Sequence, residues 1–299
     1  MTQLRDPSRG VEQLATGFIF TEGPVWDRHG GELVFSDIPG DVRSRWNPAT
    51  GIRDDRRPSS KCNGLTYDAA GNLLVCHHAI STVVREAPDG SRETIASHFE
   101  GAELNSPNDI VVRSDGVIYF TDPYYGRRDG DYGIVRPQEL DWQGVFRIDL
   151  DGSLHLVVPR DLFETPNGLC FGPGEEHLYI NDTTKGLIRR FDVAADGSLA
   201  NEQLFATNVM SATIAGKPDG MKCDELGNIW VTGPGGVWVL DPAGERIDFI
   251  AVPEKVGNLT FGGPDWRTLF ITATTSLYSI AVDVGPRREP YMGGTGPLS

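Results

Sequence analysis

The sequence predicts an all-β fold: a six-bladed β-propeller of four-stranded antiparallel blades, closed by an N-terminal strand. Three observations carry this. One phrase recurs six times along the chain, 36 glycines and 20 prolines cluster at turn-like spots, and the segments between turns are short and rich in β-branched and aromatic residues. Each copy of the phrase opens on an oxygen-bearing side chain, usually followed by a small residue. Apolar alternation, a turn and a hydrophobic strand come next. The opening residues, or anchors, are Glu22, Asn63, Asn108, Asn167, Asp219 and Asn258, separated by 41, 45, 59, 52 and 39 residues. A period of that size belongs to propeller blades or other stacked units.

Within a unit the elements follow in a fixed order. In the fourth, 169–171 and 177–181 alternate as strands around the turn Gly172-Pro-Gly-Glu-Glu. A third strand spans 187–192, Asp196-Gly197 turns the chain, and 202–206 forms an edge strand. Equivalent turns stand at Asp89-Gly90, Asp115-Gly116, Asp151-Gly152 and Gly227-Asn228. A single sheet of this kind has two faces that it cannot bury alone. Packing six sheets round an axis buries both faces and leaves only short edges. The sixth unit shows strands at 259–261, 268–272 and 277–282 and then a Gly/Pro-rich end, so 11–15 is expected to supply its fourth strand. The third unit is the longest because of an insertion at 124–142, expected to form a rim or lid. Trp26, Trp142, Trp230 and Trp238 lie on alternating segments and are expected between blades. No domain linker is visible, and 1–299 reads as one domain.

Composition narrows the function. Acidic residues outnumber basic ones 42 to 27, giving a formal charge of −15 with no basic cluster free of aspartates, so a nucleic-acid partner is excluded. No apolar run approaches the ~20 residues of a membrane helix. The start, Met-Thr-Gln-Leu-Arg-Asp-Pro, has no apolar signal core, and a cytoplasmic location is expected. Cys62, Cys76, Cys170 and Cys223 lack zinc-like spacing and read as four reduced thiols. A monomer or homodimer is expected.

In a radial fold the first strand of each unit lines the central channel, so the six anchors gather at one mouth. Any one Asn or Asp before Gly can cap a turn with its own backbone. Six oxygen-bearing anchors, two of them acids, point to a shared site. Glu22 and Asp219 bring two negative charges, which Asn carbonyls can complete into a site for a hard divalent cation. Without a cation, paired carboxylates raise a pKa. Oxygen-only ligation favours Ca2+ or Mg2+, of which Ca2+ is taken first, and Mn2+, Fe2+ or Zn2+ can occupy such a site.

Five stretches are more specific: Thr21-Glu-Gly-Pro-Val-Trp26, Ser106-Pro-Asn-Asp109, Phe120-Thr-Asp-Pro-Tyr-Tyr-Gly126, Pro166-Asn-Gly-Leu169 and Pro218-Asp-Gly-Met221. In this order and spacing the chain resembles the SMP-30/gluconolactonase/luciferin-regenerating-enzyme family over about residues 10 to 285. The resemblance implies a six-bladed propeller hydrolase with a divalent metal in the channel mouth, acting on sugar lactones, with some relatives acting on organophosphate esters. Carried over by position, Glu22, Asn167 and Asp219 resemble the family's metal ligands, and Asn108 the polar residue that contacts substrate or completes the coordination. Where sugar-lactonase members often carry arginine, two residues before that asparagine, this chain has Ser106.

The chemistry expected of such a site is opening of a small lactone. A cation polarises the carbonyl and stabilises the charge of the tetrahedral intermediate. Asp219 is the candidate general base for the attacking water. Asn63 is expected to line the pocket, and His78 to face the channel beside substrate. Asp122, Tyr124 and Tyr125 open the insertion and are candidates for sugar hydroxyls and ring stacking. An arylesterase or phosphotriesterase using the same cation is the alternative, followed by a non-catalytic binding propeller.

Overall fold

The computed structural model describes residues 3–293. Six four-stranded antiparallel sheets form the blades, as the sequence predicts. Blade 1 comprises Thr21–Asp27, Glu32–Asp37, Val42–Asn47 and Gly51–Arg56; blade 2, Cys62–Tyr67, Leu73–His77, Thr82–Glu86 and Arg92–Ala96. Blade 3 comprises Ile110–Val112, Ile118–Asp122, Gly144–Ile148 and Leu154–Leu156; blade 4, Pro166–Phe171, His177–Asp182, Leu187–Val193 and Leu199–Ala206. Blade 5 is Met221–Cys223, Ile229–Gly233, Gly236–Leu240 and Arg246–Ala251. Blade 6 takes Val256–Gly262, Thr268–Ala273 and Ser276–Ala281 from the C-terminal part and Glu12–Thr16 from the N-terminal part.

The first strand of every blade touches the first strand of both neighbours, blade 6 against blade 1 included, so the inner strands close a ring round the axis. Closure is sealed by Glu12–Thr16, which pairs antiparallel with Ser276–Ala281, Glu12 opposite Ser279 and Thr16 opposite Ser276.

Sequence patterning follows from position in the blade. Middle strands are buried on both faces and read as continuous apolar runs: Leu33, Val34 and Phe35 are wholly buried, as are Ile229, Trp230 and Val231. Outer strands such as Gly51–Arg56 are largely solvated and carry charges. The apolar clusters lie between neighbouring blades; Val111, Tyr119 and Val145 of blade 3, for example, pack against Leu169, Leu178 and Ile180 of blade 4. Trp26 and Trp230 belong to such cores, whereas Trp142 and Trp238 pack against theirs only partly buried. The turn glycines Gly90, Gly116, Gly152, Gly197 and Gly227 all hold φ between 79° and 94°, a conformation that side chains resist. All four cysteines are buried and unpaired.

The insertion at 124–142 opens with a single helical turn, Tyr125–Arg128. It is fastened rather than loose. The buried Arg127 guanidinium donates from Nε to the carbonyls of Leu104 (3.0 Å) and Asn105 (3.1 Å), from Nη1 to Pro137 (2.6 Å), and pairs with Glu103. Arg127 thereby ties both ends of the insertion to the segment that enters blade 3.

Candidate active site

The inner strands depart from regular pairing where the anchors stand. In blades 1, 2, 4 and 6 the register slips between Glu22 and Val25, Cys62 and Leu65, Pro166 and Leu169, and Val256 and Asn258. In blades 3 and 5 pairing starts only at Ile110 and Met221, after Asn108 and Asp219. A bulge breaks the alternation and re-aims a side chain. The small residue after an anchor has its own cause. A Cβ on Gly23 would lie 1.9 Å from the carbonyl oxygen of Asn63, and one on Gly168 would lie 2.0 Å from that of Asp219. Neighbouring inner strands approach so closely that a side chain there has no room.

A cavity of about 230 Å³ opens at this end of the channel. Seven of the nine predicted site residues line it: Glu22, Asn63, His78, Asn108, Tyr125, Asn167 and Asp219. Asp122 and Tyr124 do not. Burial raises the pKa of Asp122 to about 7, and its Oδ2 accepts from the Asn105 backbone N–H at 2.8 Å. Asp37 and Asp182 do the same for Phe20 (3.0 Å) and Glu164 (2.7 Å), so this aspartate is a blade device that clamps the entering loop. Tyr124 braces the insertion, its N–H donating to Gln143 Oε1 at 2.7 Å and its hydroxyl to the Arg136 carbonyl at 3.3 Å.

Glu22 is buried, its Oε2 accepting from the Gly23 N–H (2.8 Å) and from Nδ2 of Asn258 (3.0 Å). Burial first, then the negative charge of Asp219, holds its carboxyl well above the usual range. Asp219 is pushed up to about 7 by burial, against the pull of Lys255 and a hydrogen bond from Asn167. Its backbone is pinned on both sides: the N–H donates to Thr232 Oγ1 at 2.8 Å and the carbonyl accepts from Asn181 Nδ2. Asn167 donates from Nδ2 to Thr183 Oγ1 at 3.0 Å, and that hydroxyl donates to the Pro218 carbonyl at 2.7 Å. The arrangement fixes which end of the Asn167 amide is the acceptor.

His78 acts through Asn63. Burial lowers its pKa to about 4, so the ring is neutral at pH 7. Nδ1 faces the Tyr132 carbonyl at 3.1 Å and must carry the proton, which leaves Nε2 to accept from Asn63 Nδ2 at 3.1 Å. Asn63 Oδ1 is then buried with no hydrogen-bond partner. Tyr125 stands by Thr183 and Asn167, its hydroxyl pKa raised to about 12 by burial and by Asp219. Ser106 is taken up by the insertion, accepting from the Gly126 N–H at 2.9 Å.

Sequence reasoning missed Phe20, Ile38, Arg128, Asp129, Tyr132, Thr183 and Lys255, which complete the cavity wall. Arg128, Asp129 and Tyr132 lay inside the insertion already singled out, and Thr183 directly follows the recurrent Asp182. Phe20, Ile38 and Lys255 carried no signal of their own.

Among the described residues no group of three or more His, Cys, Asp or Glu side chains stands in a metal-holding arrangement. The expected set of Glu22, Asn167 and Asp219 contains two carboxylates and one carboxamide. A larger cavity, about 590 Å³, opens at the opposite end of the strands of blades 1 and 2. Its charged groups are engaged with one another: Arg43 pairs with Asp55 and Glu86, and Arg45 with Asp27 and Asp55. That cavity is an ion-paired seam between blades, and the anchors are absent from it.

Comparisons with known proteins agree with this fold. The profile of the SMP-30/Gluconolactonase/LRE-like region matches residues 20–275. A gluconolactonase of Zymomonas mobilis is 29% identical over 296 residues, covering 92% of this chain and 82% of that protein. A crystal structure named as a candidate gluconolactonase superposes with a TM-score of 0.89 at 34% identity, covering 96% of this chain and 97% of the other. A gluconolactonase from Xanthomonas campestris superposes at 0.84 with 31% identity, covering 91% and 89%. No helix among the described residues is long and apolar enough to cross a membrane. The six anchored blades, the order of their motifs and these likenesses converge: the chain belongs to the SMP-30/gluconolactonase/LRE-like family.

Proposed function

We propose that this chain is a lactonase, a carboxylic-ester hydrolase that opens small sugar-type lactones in the anchor-lined cavity, with Glu22, Asn167 and Asp219 holding a divalent cation, Ca2+ in first place. Membership of the family and likeness to gluconolactonases support lactone hydrolysis. The observation that carries the site is the pairing at one cavity of two carboxylates, buried Glu22 and partly exposed Asp219, with the charge of Asp219 raising the cost of ionising Glu22 and that of Asp109 raising the cost at Asp219.

The donor set fits a hard cation. Two carboxylates with raised proton affinity are poor neighbours unless positive charge joins them. Asn167 turns its Nδ2 to Thr183, which frees its amide oxygen, and Asn63 keeps a buried amide oxygen without a partner. Such a cation, when bound, polarises the lactone carbonyl and offsets negative charge on its oxygen.

The chain's own groups do the rest. Asp219 accepts a proton from the attacking water. The water oxygen bonds to the carbonyl carbon, the ring C–O bond breaks, and the departing ring oxygen takes a proton to give a hydroxy acid. Asn63 and Asn108 orient the substrate's hydroxyls, and His78 holds the Asn63 amide in place. Tyr125 offers a ring face to the sugar. The size of the cavity, about 230 Å³, lies below the ~300–1,000 Å³ of drug-sized pockets and suits a single small ring.

The test is hydrolysis of D-glucono-1,5-lactone followed by acid release, with and without chelator, in wild type and Asp219→Asn. The reading expects chelator-sensitive turnover and a loss of at least about 100-fold in the variant. Undiminished turnover in Asp219→Asn overturns the assignment.

A further inference from the structure

The cavity carries two cationic side chains that the chemistry above does not use; among the described residues neither forms a direct ion pair, although Lys255 is close enough to lower the pKa of Asp219. Lys255 lies on the segment entering blade 6, whose position is fixed by Thr274, the backbone N–H (2.9 Å) and hydroxyl (3.0 Å) of which both donate to the Lys255 carbonyl. Its Nζ sits 5.2 Å from the centre of the Phe20 ring. Arg128 ends the helical turn of the insertion, its guanidinium 4.9 Å from the centre of the Tyr125 ring. Both line the cavity and both are solvent-exposed, whereas Glu22 is buried and Asp219 partly so, so the two cations lie nearer solvent than the carboxylates.

Several buried or half-buried arginines elsewhere differ, although Arg246 also rests on a ring face, that of Trp238. Arg43, Arg45, Arg113, Arg127 and Arg136 each pair with carboxylates, in a protein of formal charge −15. Among the described residues Lys255 and Arg128 make no ion pair and rest on ring faces instead. A ring face orients a cation while leaving its N–H donors unsatisfied. Asp129 is the acid nearest in sequence on the same wall, and it makes no ion pair with either of them. The anchors explain what meets the ester; the mouth must meet whatever the ring carries away from it.

We infer that the preferred substrate is a lactone bearing an anionic group, a carboxylate, sulfonate or phosphate, on the part of the molecule remote from the ester, and that Arg128 and Lys255 bind that group. The inference rests on the lactonase reading. Arg128 presents planar paired donors and Lys255 a point charge, a combination that suits a multi-oxygen anion. The same cavity fits the remainder, with Phe20 and Ile38 offering apolar surface and Asn63 and Asn108 polar contacts.

The experiment compares kcat/KM for D-glucono-1,5-lactone, 6-phospho-D-glucono-1,5-lactone and D-glucaro-1,4-lactone in wild type, Arg128→Met and Lys255→Met, at two salt concentrations. The inference expects at least one anionic lactone to be the better substrate. Its advantage over the neutral lactone falls roughly tenfold in each variant, mainly through KM, and shrinks as salt rises. The phosphate and carboxylate arms distinguish which anion is read. Equal or better use of the neutral lactone by wild type, or an unchanged ratio in both variants, overturns the inference while leaving lactone hydrolysis intact. Failure to open any of the three lactones overturns the underlying reading, and the inference with it.

Discussion

Glu22 and Asp219 face opposite demands. Glu22 is buried and Asp219 partly so, and desolvation raises the pKa of both, with the charge of Asp219 adding to the effect at Glu22. Asp122 is raised to about 7 by burial alone. A carboxyl whose folded pKa lies above its unfolded value keeps a proton that the unfolded chain has lost. Its contribution to stability is therefore complete below about pH 4 and disappears as pH climbs through the folded value near 7. The metal-free protein is expected to lose stability between about pH 4 and pH 7, read as a falling Tm in chelator. Calcium should restore the Tm near neutrality, where it competes with few enough protons to displace them, and do little at acid pH. A flat Tm profile in chelator would remove this account of the acid pair. Glu22→Gln should show a reduced pH slope together with weaker calcium stabilisation.

The elements that hold these residues obey constraints of different legibility. The glycine after an anchor could be read from the repeat, but its cause, a neighbouring carbonyl about where a Cβ would go, needed the ring. Gly168→Ala should force Asn167 and Asp219 apart and cost about 1–3 kcal/mol of stability in urea unfolding, with activity lost alongside. The insertion was legible as an interruption in the period, whereas its fastening was not. Arg127 reaches carbonyls at Leu104 and Asn105, which no spacing rule ties to it. Arg127→Met leaves those acceptors unpaired in a buried place and should cost about 3 kcal/mol. Since Arg128 and Tyr132 belong to the same segment, substrate KM should rise as well. An unchanged urea midpoint would show that the insertion does not depend on this anchor. Asp122 and Tyr124 misled for a related reason. Their position at the insertion's start suggested the pocket, yet the matching aspartates Asp37 and Asp182 already hinted at a clamp common to the blades.

At the scale of the molecule, the period of the anchors gave the number of blades, and the missing fourth strand of the sixth unit gave the closure. Both are properties of a repeat, which a single chain displays openly. The cavity walls are different. Phe20, Lys255 and Tyr132 stand far apart in sequence and come together only when blade 6 meets blade 1 and the insertion crosses the mouth. Deleting residues 1–16 should remove the strand that pairs with Ser276–Ala281 and lower the Tm by at least about 10 °C, with activity falling in proportion to the unfolded fraction. A full-length-like Tm would mean that the inner-strand contacts close the ring unaided.

The proposed chemistry depends on one cation held by side chains from blades 1, 4 and 5. Calorimetric titration of calcium into chelator-stripped protein, with gluconolactone hydrolysis followed at each addition, tests this most directly. One calcium bound per chain, with turnover rising in step and both signals lost in a Glu22→Gln, Asp219→Asn double variant, is the predicted result. Full turnover in stripped protein, or calcium binding that survives in the double variant, would contradict it.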